Sequence, residues 1–279
     1  MNNLTNYHSH STFCDGKAPI EDFIKQAVKM GFSSYGVSSH APVPFANHWS
    51  MKIEEVEPYL NEINRLKQRY SPHIDLYAGM EIDYLHENHH PASDFFAKLP
   101  LDYRIGSVHI LYKNNTEVDI DCRPEEFKLN IDTYFDGNLK LAVTEYFDKM
   151  ITMIKTGGFD IIGHADKITY NASTCNPNIR EQKWYSEKIE ELFECIAQSG
   201  LIMEINTKAY NRHGIFFPHQ KYFKRIQELK IPVTVNSDSH HPDFINDGRT
   251  EALSALKQCN IDTVRQLKNG TWQDTPIQL

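Results

Sequence analysis

The chain predicts a parallel α/β barrel, and three observations carry that prediction. Short apolar runs alternate with amphipathic helical stretches, seven of the former in all. Metal-type side chains follow six of those seven runs, from residue 8 to residue 240. The 279-residue length suits one barrel, so residues 1–279 are expected to form a single domain. A doubly wound open sheet is the alternative, but there only strands near the switch point share a crevice. In a barrel every strand ends on the same rim.

TNYHSH reads as the first strand. Residues 19–31 read as a helix, with Pro19 at its first position, Gly31 as its stop, and Ile20, Phe23, Ile24, Ala27 and Val28 on one face. SYGVSSH is the second strand. A helix spans 54–70, with Glu54, Glu55 and Glu57 at its positive N-terminal end. IDLYAGMEID and DYRIGSVH are strands three and four. The stretch 110–138 reads as polar and irregular at its start. Residues 139–157 read as a helix ended by Gly157-Gly158. FDIIGH, LIMEIN and IPVTVNSD are strands five to seven, with helices over 178–199 and 218–230 between them. Helices near 249–260 and 262–269 finish the chain.

Composition narrows the function classes. The apolar fraction is 40% and the charged fraction 24%, as in an ordinary globular protein. No apolar run reaches the ~20 residues of a membrane span, and MNNLTNYHSH lacks the pattern of a secretory signal. The five cysteines form no CxxC pair, which suits reduced thiols and a cytoplasmic location. A net charge of −8 disfavours a general nucleic-acid-binding surface.

Nine residues form the expected metal constellation: His8, His10, Asp15, His40, Glu81, His109, His164, Asp238 and His240. In HSH and SDSH, positions i and i+2 of an extended segment face the same way, so one ion can take both. Taken singly, each of these residues is as well read as a hydrogen-bonded or surface group; jointly they point to a polynuclear metal hydrolase. Asp15 also fits a plain DG turn. His86, His89 and His90 read as a solvated loop. His48 and His73 have no supporting spacing, and His213, His219 and His241 lie near rim loops.

At HSH, SSH, AGMEIDY, GSVH, IIGHAD and NSDSH the chain resembles the PHP family of metal-dependent phosphoesterases, with the motifs in the family's order. The resemblance implies a distorted seven-stranded (β/α) barrel holding two or three divalent ions, zinc, manganese or iron. It implies a first site of His8, His10, Glu81 and Asp238. Glu81 would bridge to a second site with His109 and His164. Asp15, standing where other members carry histidine, would join His40 and His240 in a third. GMEIDY, GSVHIL, FDIIGHADKI and EINTKAYNRHG resemble the histidinol-phosphate phosphatase subgroup. That implies hydrolysis of L-histidinol phosphate in histidine biosynthesis, with no membrane or nucleic-acid partner. The 110–138 stretch departs from the subgroup's pattern.

Phosphate monoesters repel a hydroxide nucleophile. Clustered cations neutralise the phosphoryl oxygens and lower the pKa of a bound water towards ~7, so no serine or cysteine nucleophile is needed. Asp238 or His240 is the expected proton donor to the leaving group. Lys167, Lys208 and Arg212 are the expected phosphate contacts, because they follow strands five and six. Two other classes stay open: a phosphodiesterase acting on nucleotides or nucleic-acid ends, and a noncatalytic metal-binding module.

Overall fold

The computed structural model describes residues 3–279. Its strands are β1 (Thr5–Asn6), β2 (Ser34–Val37), β3 (Asp75–Ala78), β4 (Glu81–Asp83), β5 (Ile105–Ser107), β6 (Ile110–Lys113), β7 (Thr116–Asp119), β8 (Ile161–Ile162), β9 (Ile202–Asn206), β10 (Val233–Asn236), β11 (Thr263–Lys268) and β12 (Thr271–Pro276). Its helices are α1 (Ile20–Met30), α2 (Val56–Tyr70), α3 (Asp94–Ala97), α4 (Pro124–Tyr134), α5 (Leu139–Thr156), α6 (Ile168–Cys175), α7 (Lys183–Ser199), α8 (Tyr210–His213), α9 (Phe223–Glu228) and α10 (Arg249–Gln258).

Parallel pairing orders the strands as β1-β2-β3 in one sheet and β10-β9-β8-β5-β4 in another. β3 and β4 continue one another across Gly79-Met80, so the third predicted strand is interrupted. Two isolated parallel bridges, His40 to Glu81 and Ser9 to Ser239, join the sheets at their edges. Asparagines reinforce the second junction. The Tyr7 N–H donates to Asn236 Oδ1 at 2.9 Å and the Ser237 N–H to Asn6 Oδ1 at 2.7 Å. The seven predicted strands therefore exist as two ladders tied by single bridges, not as one uninterrupted barrel ladder.

Most predicted helices form, with those over 178–199 and 218–230 narrowed to α7 and α9, each behind a short 3-10 turn. α1 buries Ile20, Phe23, Ile24 and Ala27, and Gly31 ends it in the left-handed region at φ 77°. Pro19 sits at the cap, one residue before the observed first turn, not at the first helical position as predicted. α2 and α7 bury single apolar stripes, and the Asn138 side chain caps α5 by accepting the Leu141 N–H.

Two segments take a different type of structure from the one expected. Residues 263–276 form an antiparallel hairpin instead of the helix predicted over 262–269. Asn269 and Gly270, at φ 51° and 72°, supply the two positive-φ positions of a tight hairpin turn, which overrides the helical reading. The irregular start of 110–138 is a second hairpin, β6/β7, turning at Asn114-Asn115, followed by α4 with Pro124 in its first turn.

Between the strands, Tyr7, Tyr77, Tyr103, Ile105, Ile161, Ile202 and Leu267 form an apolar cluster against which Trp272 of β12 packs. Gly79 and Gly36 make room for it: a Cβ at either would stand 2.2–2.3 Å from the Tyr103 ring or hydroxyl.

Candidate metal centre

The nine predicted residues converge. Glu81, completely buried, lies at their middle. Its Oε2 is 3.1 Å from His8 Nε2, 3.5 Å from His10 Nε2 and 3.0 Å from His40 Nδ1. Its Oε1 is 3.0 Å from His164 Nε2 and 3.7 Å from His109 Nε2, and accepts from Ser107 Oγ at 2.6 Å. Asp238 Oδ1 stands 3.1 Å from His10 Nε2 and 3.8 Å from His8 Nε2. Asp15 Oδ2 is 3.2 Å from His240 Nε2, and its Oδ1 is 4.0 Å from His40 Nε2.

Local backbone makes this convergence. The His10 N–H bonds Ser239 O, and Lys17 N–H bonds His240 O, so the first and last ligand loops lie side by side. Gly16 lets the Asp15 turn close, since a Cβ there would meet the His10 carbonyl at 2.4 Å. His164 and Asp238 lie at φ 25° and 47°, a region that costs ordinary residues of the order of 1–2 kcal/mol.

Four groups of side chains can each hold an ion: His10, Asp15, His40 and His240; His8, Glu81 and His164; His8, His10 and Asp238; and His40, Asp83 and His109. The donor set fits metal on chemical grounds. His109 Nε2 and His164 Nε2 face each other at 3.2 Å. Buried His8 Nε2, His10 Nε2, His40 Nδ1 and Glu81 Oε2 have no hydrogen-bond partner, although burying such groups unpaired is costly.

The electrostatics are those of a cation-seeking cleft. Burial opposes charge on His8, but Glu204, Glu81 and Asp238 outweigh it and hold its pKa well above the usual value. Burial likewise opposes charge on His109, and Asp83 with Glu81 overcome it, raising the pKa to about 10. Burial, His240 and His40 push His10 the other way. Glu81 stays ionised against its burial because His8, His40 and His109 surround it.

Two carboxylates escaped the sequence reading. Glu204, inside β9, accepts from His8 Nδ1 at 2.7 Å, from the His164 N–H at 2.9 Å, and from Asn236 and Asn206 at 3.0 Å each. Asp83, on β4, accepts from His109 Nδ1 at 3.0 Å and from its N–H at 2.9 Å. Such partners fix which ring nitrogen a histidine presents to an ion. The signal for Asp83 was present: Glu81 and Asp83 repeat the i, i+2 spacing of HSH.

A cavity of about 450 Å³ opens onto the cluster, and Asp15, His40, His109, Lys208, Asp238 and His240 are among its lining residues. His48, Trp49, Asp119, Asp121, Arg123 and Glu126 line the rest. The β6/β7 hairpin and its following turn thus face the cluster. Trp49 stands edge-on to His40, with ring centroids 5.1 Å apart.

The three predicted phosphate contacts separate. Lys208 reaches the cavity, its Nζ 3.1 Å from Asp238 Oδ1. Lys167 does not line it; its ammonium pairs with Asp121 at 3.1 Å and lies over the Phe217 ring. Arg212 lines an adjoining hollow with Lys17, Asn211 and Phe244, and Lys208, Asp238 and His240 border that hollow too. His86 and His89 pair through an isolated bridge, and His89, His90 and His219 belong to none of the four groups. His213 Nε2 meets the Tyr170 hydroxyl at 3.1 Å.

Comparison with known proteins places this arrangement. The PHP domain family matches residues 6–208. The chain belongs to the PHP domain family. As a PHP protein it is 27% identical over 94% of its length to a probable histidinol-phosphatase of Schizosaccharomyces pombe, covering 89% of that protein. It is 23% identical over 84% of its length to the histidinol-phosphatase of Bacillus subtilis, covering 92% of it. A Listeria monocytogenes structure superposes with a TM-score of 0.78 at 21% identity, over 88% of this chain and 99% of that one. Lactococcus lactis histidinol phosphate phosphatase, solved with zinc, L-histidinol and phosphate, gives 0.71 at 18% identity over 98% and 100%. These likenesses establish the PHP-type α/β fold. No helix among the described residues is long and apolar enough to cross a membrane.

Proposed function

We propose that this PHP protein hydrolyses the phosphate monoester of L-histidinol, using divalent ions held by the nine predicted residues. The observation that carries the reading is a cavity lined both by metal-binding imidazoles and carboxylates and by Asp119, Asp121 and Glu126. A phosphoryl group suits the first set. An alcohol bearing an amine and an imidazole suits the added carboxylates, whereas a polyanionic nucleotide or nucleic-acid end does not. The curated relatives named histidinol-phosphatase support this choice.

His8, His10, Glu81 and Asp238 would hold one ion, Glu81, His109 and His164 a second, and Asp15, His40 and His240 a third. Bound there, such ions supply charge neutralisation and an activated water. Lys208 then takes a phosphoryl oxygen as a point charge, and Arg123 reaches the same cavity with a fork of donors. As ion ligands, neither His240 nor Asp238 is free to give the leaving alkoxide a proton: His240 Nδ1 meets the Asp238 backbone carbonyl at 3.1 Å, and the Asp238 carboxylate is engaged by His10, Lys208 and Asn206. The Trp49 ring bounds the space beside His40 and His109.

The test is kcat/KM, at one fixed metal, for L-histidinol phosphate, nucleoside monophosphates and a nucleotide diester. The proposal expects the first to exceed the others by at least tenfold. A preference for the diester would favour the phosphodiesterase reading, and no hydrolysis with metal bound would favour a noncatalytic module.

A further inference from the structure

Asp121 stands on a turn with no ladder of its own. Residues 120–123, between β7 and α4, form neither strand nor helix. Asp121 lines the cavity and its side chain keeps 32% of its surface exposed. The Ile120 N–H bonds the His109 carbonyl at 3.0 Å, so the turn begins beside a metal-binding residue. Asn130 of α4 steadies the strand end before it, at the Asp119 carbonyl, 3.0 Å away. The Asp121 N–H donates to Asp119 Oδ1 at 2.7 Å, a contact local to the turn.

The turn itself is gripped from α6. Asn171, 3% exposed, donates through Nδ2 to the Ile120 carbonyl at 3.1 Å and to the Cys122 carbonyl at 2.9 Å. These residues flank Asp121 on either side. Both acceptors are carbonyls, so only the NH2 end of the amide can serve them. Lys167 stands at the head of the same helix, four positions earlier and so on the same face. Its ammonium is 3.1 Å from Asp121 Oδ2 and is itself steadied over the Phe217 ring. A single buried amide thus holds the chain on both sides of one carboxylate, from a helix that starts four residues after His164.

We propose that Asn171 is a positioning residue for substrate choice: its two hydrogen bonds, with Lys167 at the carboxylate, fix Asp121 where it meets the cationic part of the leaving alcohol. The inference rests on the proposed function, in which that alcohol carries an amine and an imidazole. A carboxylate held in place beforehand loses little freedom when substrate binds. One on a loose turn must be ordered by the substrate, which weakens affinity for a cationic alcohol. A phosphate ester without a cation draws nothing from Asp121 and is indifferent to its anchor.

The test compares zinc-loaded wild type, Asn171→Ala, Asp121→Asn and the double variant on L-histidinol phosphate and phenyl phosphate. Asn171→Ala should raise KM for L-histidinol phosphate about threefold to tenfold, matching Asp121→Asn. Its kcat for that substrate, both constants for phenyl phosphate, and zinc content should stay within about twofold of wild type. In the double variant KM should rise no more than about twofold beyond Asp121→Asn alone, because a residue acting through another has nothing left to position. Circular dichroism reports folding. Asn171→Ser, whose one short donor cannot serve two carbonyls, takes the place of Asn171→Ala should that variant not fold. With Asp121→Asn behaving as expected, three results overturn the inference and leave the proposed function standing: an unchanged KM for L-histidinol phosphate in the Asn171 variant, an equal rise for both substrates, or additive effects in the double variant. Wild-type kinetics for Asp121→Asn would overturn the acidic lining of the proposed function, and this inference with it.

Discussion

Tyr7 and His8 are neighbours in the chain, both with zero exposure, and their surroundings are opposite. The Tyr7 hydroxyl pairs with Ser34 Oγ at 2.7 Å and accepts the Leu267 N–H at 2.8 Å, and the Tyr7 carbonyl accepts the Tyr103 hydroxyl at 2.6 Å. One residue later, His8 Nε2 is buried facing carboxylates with no hydrogen bond of its own. The tyrosine cluster is finished by the chain's own atoms. The imidazole cluster is arranged to be finished by something the chain does not supply. Burial is the same for these two neighbours; what separates them is whether their buried polar atoms are satisfied.

The sharpest way to break the contrast is Glu81→Gln, which removes the charge shared by the first two ion groups. Losing a partner of a ligand typically costs about 10–100-fold in metal affinity or activity, and losing this central carboxylate should lower kcat/KM by at least about a hundredfold. Zinc content should fall with it. Stripping the ions with a strong chelator should abolish turnover and lower Tm. Ligand at about a hundred times its Kd stabilises by about 2.7 kcal/mol, which for a chain of this size is roughly 5–10 °C. Scanning calorimetry with and without zinc measures it.

Titration sharpens the comparison further. Without ions, His8 and His109 are held protonated by their carboxylates, His109 up to about 10. An ion needs the neutral ring, so binding must expel protons. Apparent zinc affinity should therefore keep rising with pH until the His109 value of about 10 is reached. Proton release on zinc addition, followed in weakly buffered solution, gives the sign directly; uptake would contradict it.

Smaller effects belong to the other walls. Asp121→Asn should raise KM for L-histidinol phosphate about threefold to tenfold, as for a partly exposed charge contact, and leave phenyl phosphate unchanged. Tyr103→Phe should leave zinc content and kcat within about twofold of wild type. It should cost about 1–3 kcal/mol of stability, because the Tyr7 carbonyl loses its donor. Kinetics and denaturant unfolding on one preparation separate the two.

The rim was legible because its histidines interrupt or end apolar runs, a placement that a purely packed strand does not favour. Glu204 was not: within LIMEIN a single carboxylate reads as the polar member of an alternating strand, and only the fold shows β9 buried on every residue. The Asn269-Gly270 turn was readable, but 262–269 was weighed for helix without the strand beyond it. Lys167 and Arg212 were placed by chain order after strands, whereas contact with the cavity depends on loop path. Lys167 turns to Asp121, and α8 carries Arg212 into the neighbouring hollow.

The junction between the first and last strands has a consequence for biosynthesis. Asn6 and Ser237 bond across 231 positions, and the Asn3 side chain accepts from the Gln278 N–H across 275. At about 5–20 residues per second, the HSH segment leaves the ribosome roughly 10–45 s before its partners Asp238 and His240 exist. During that interval its strand edge has no sequence-distant mate, and long-range pairing of this kind folds slowly. Until residues 238–240 are made, the two histidines and that edge lack these partners, so synthesis is a period of exposure to misassembly and to adventitious metal.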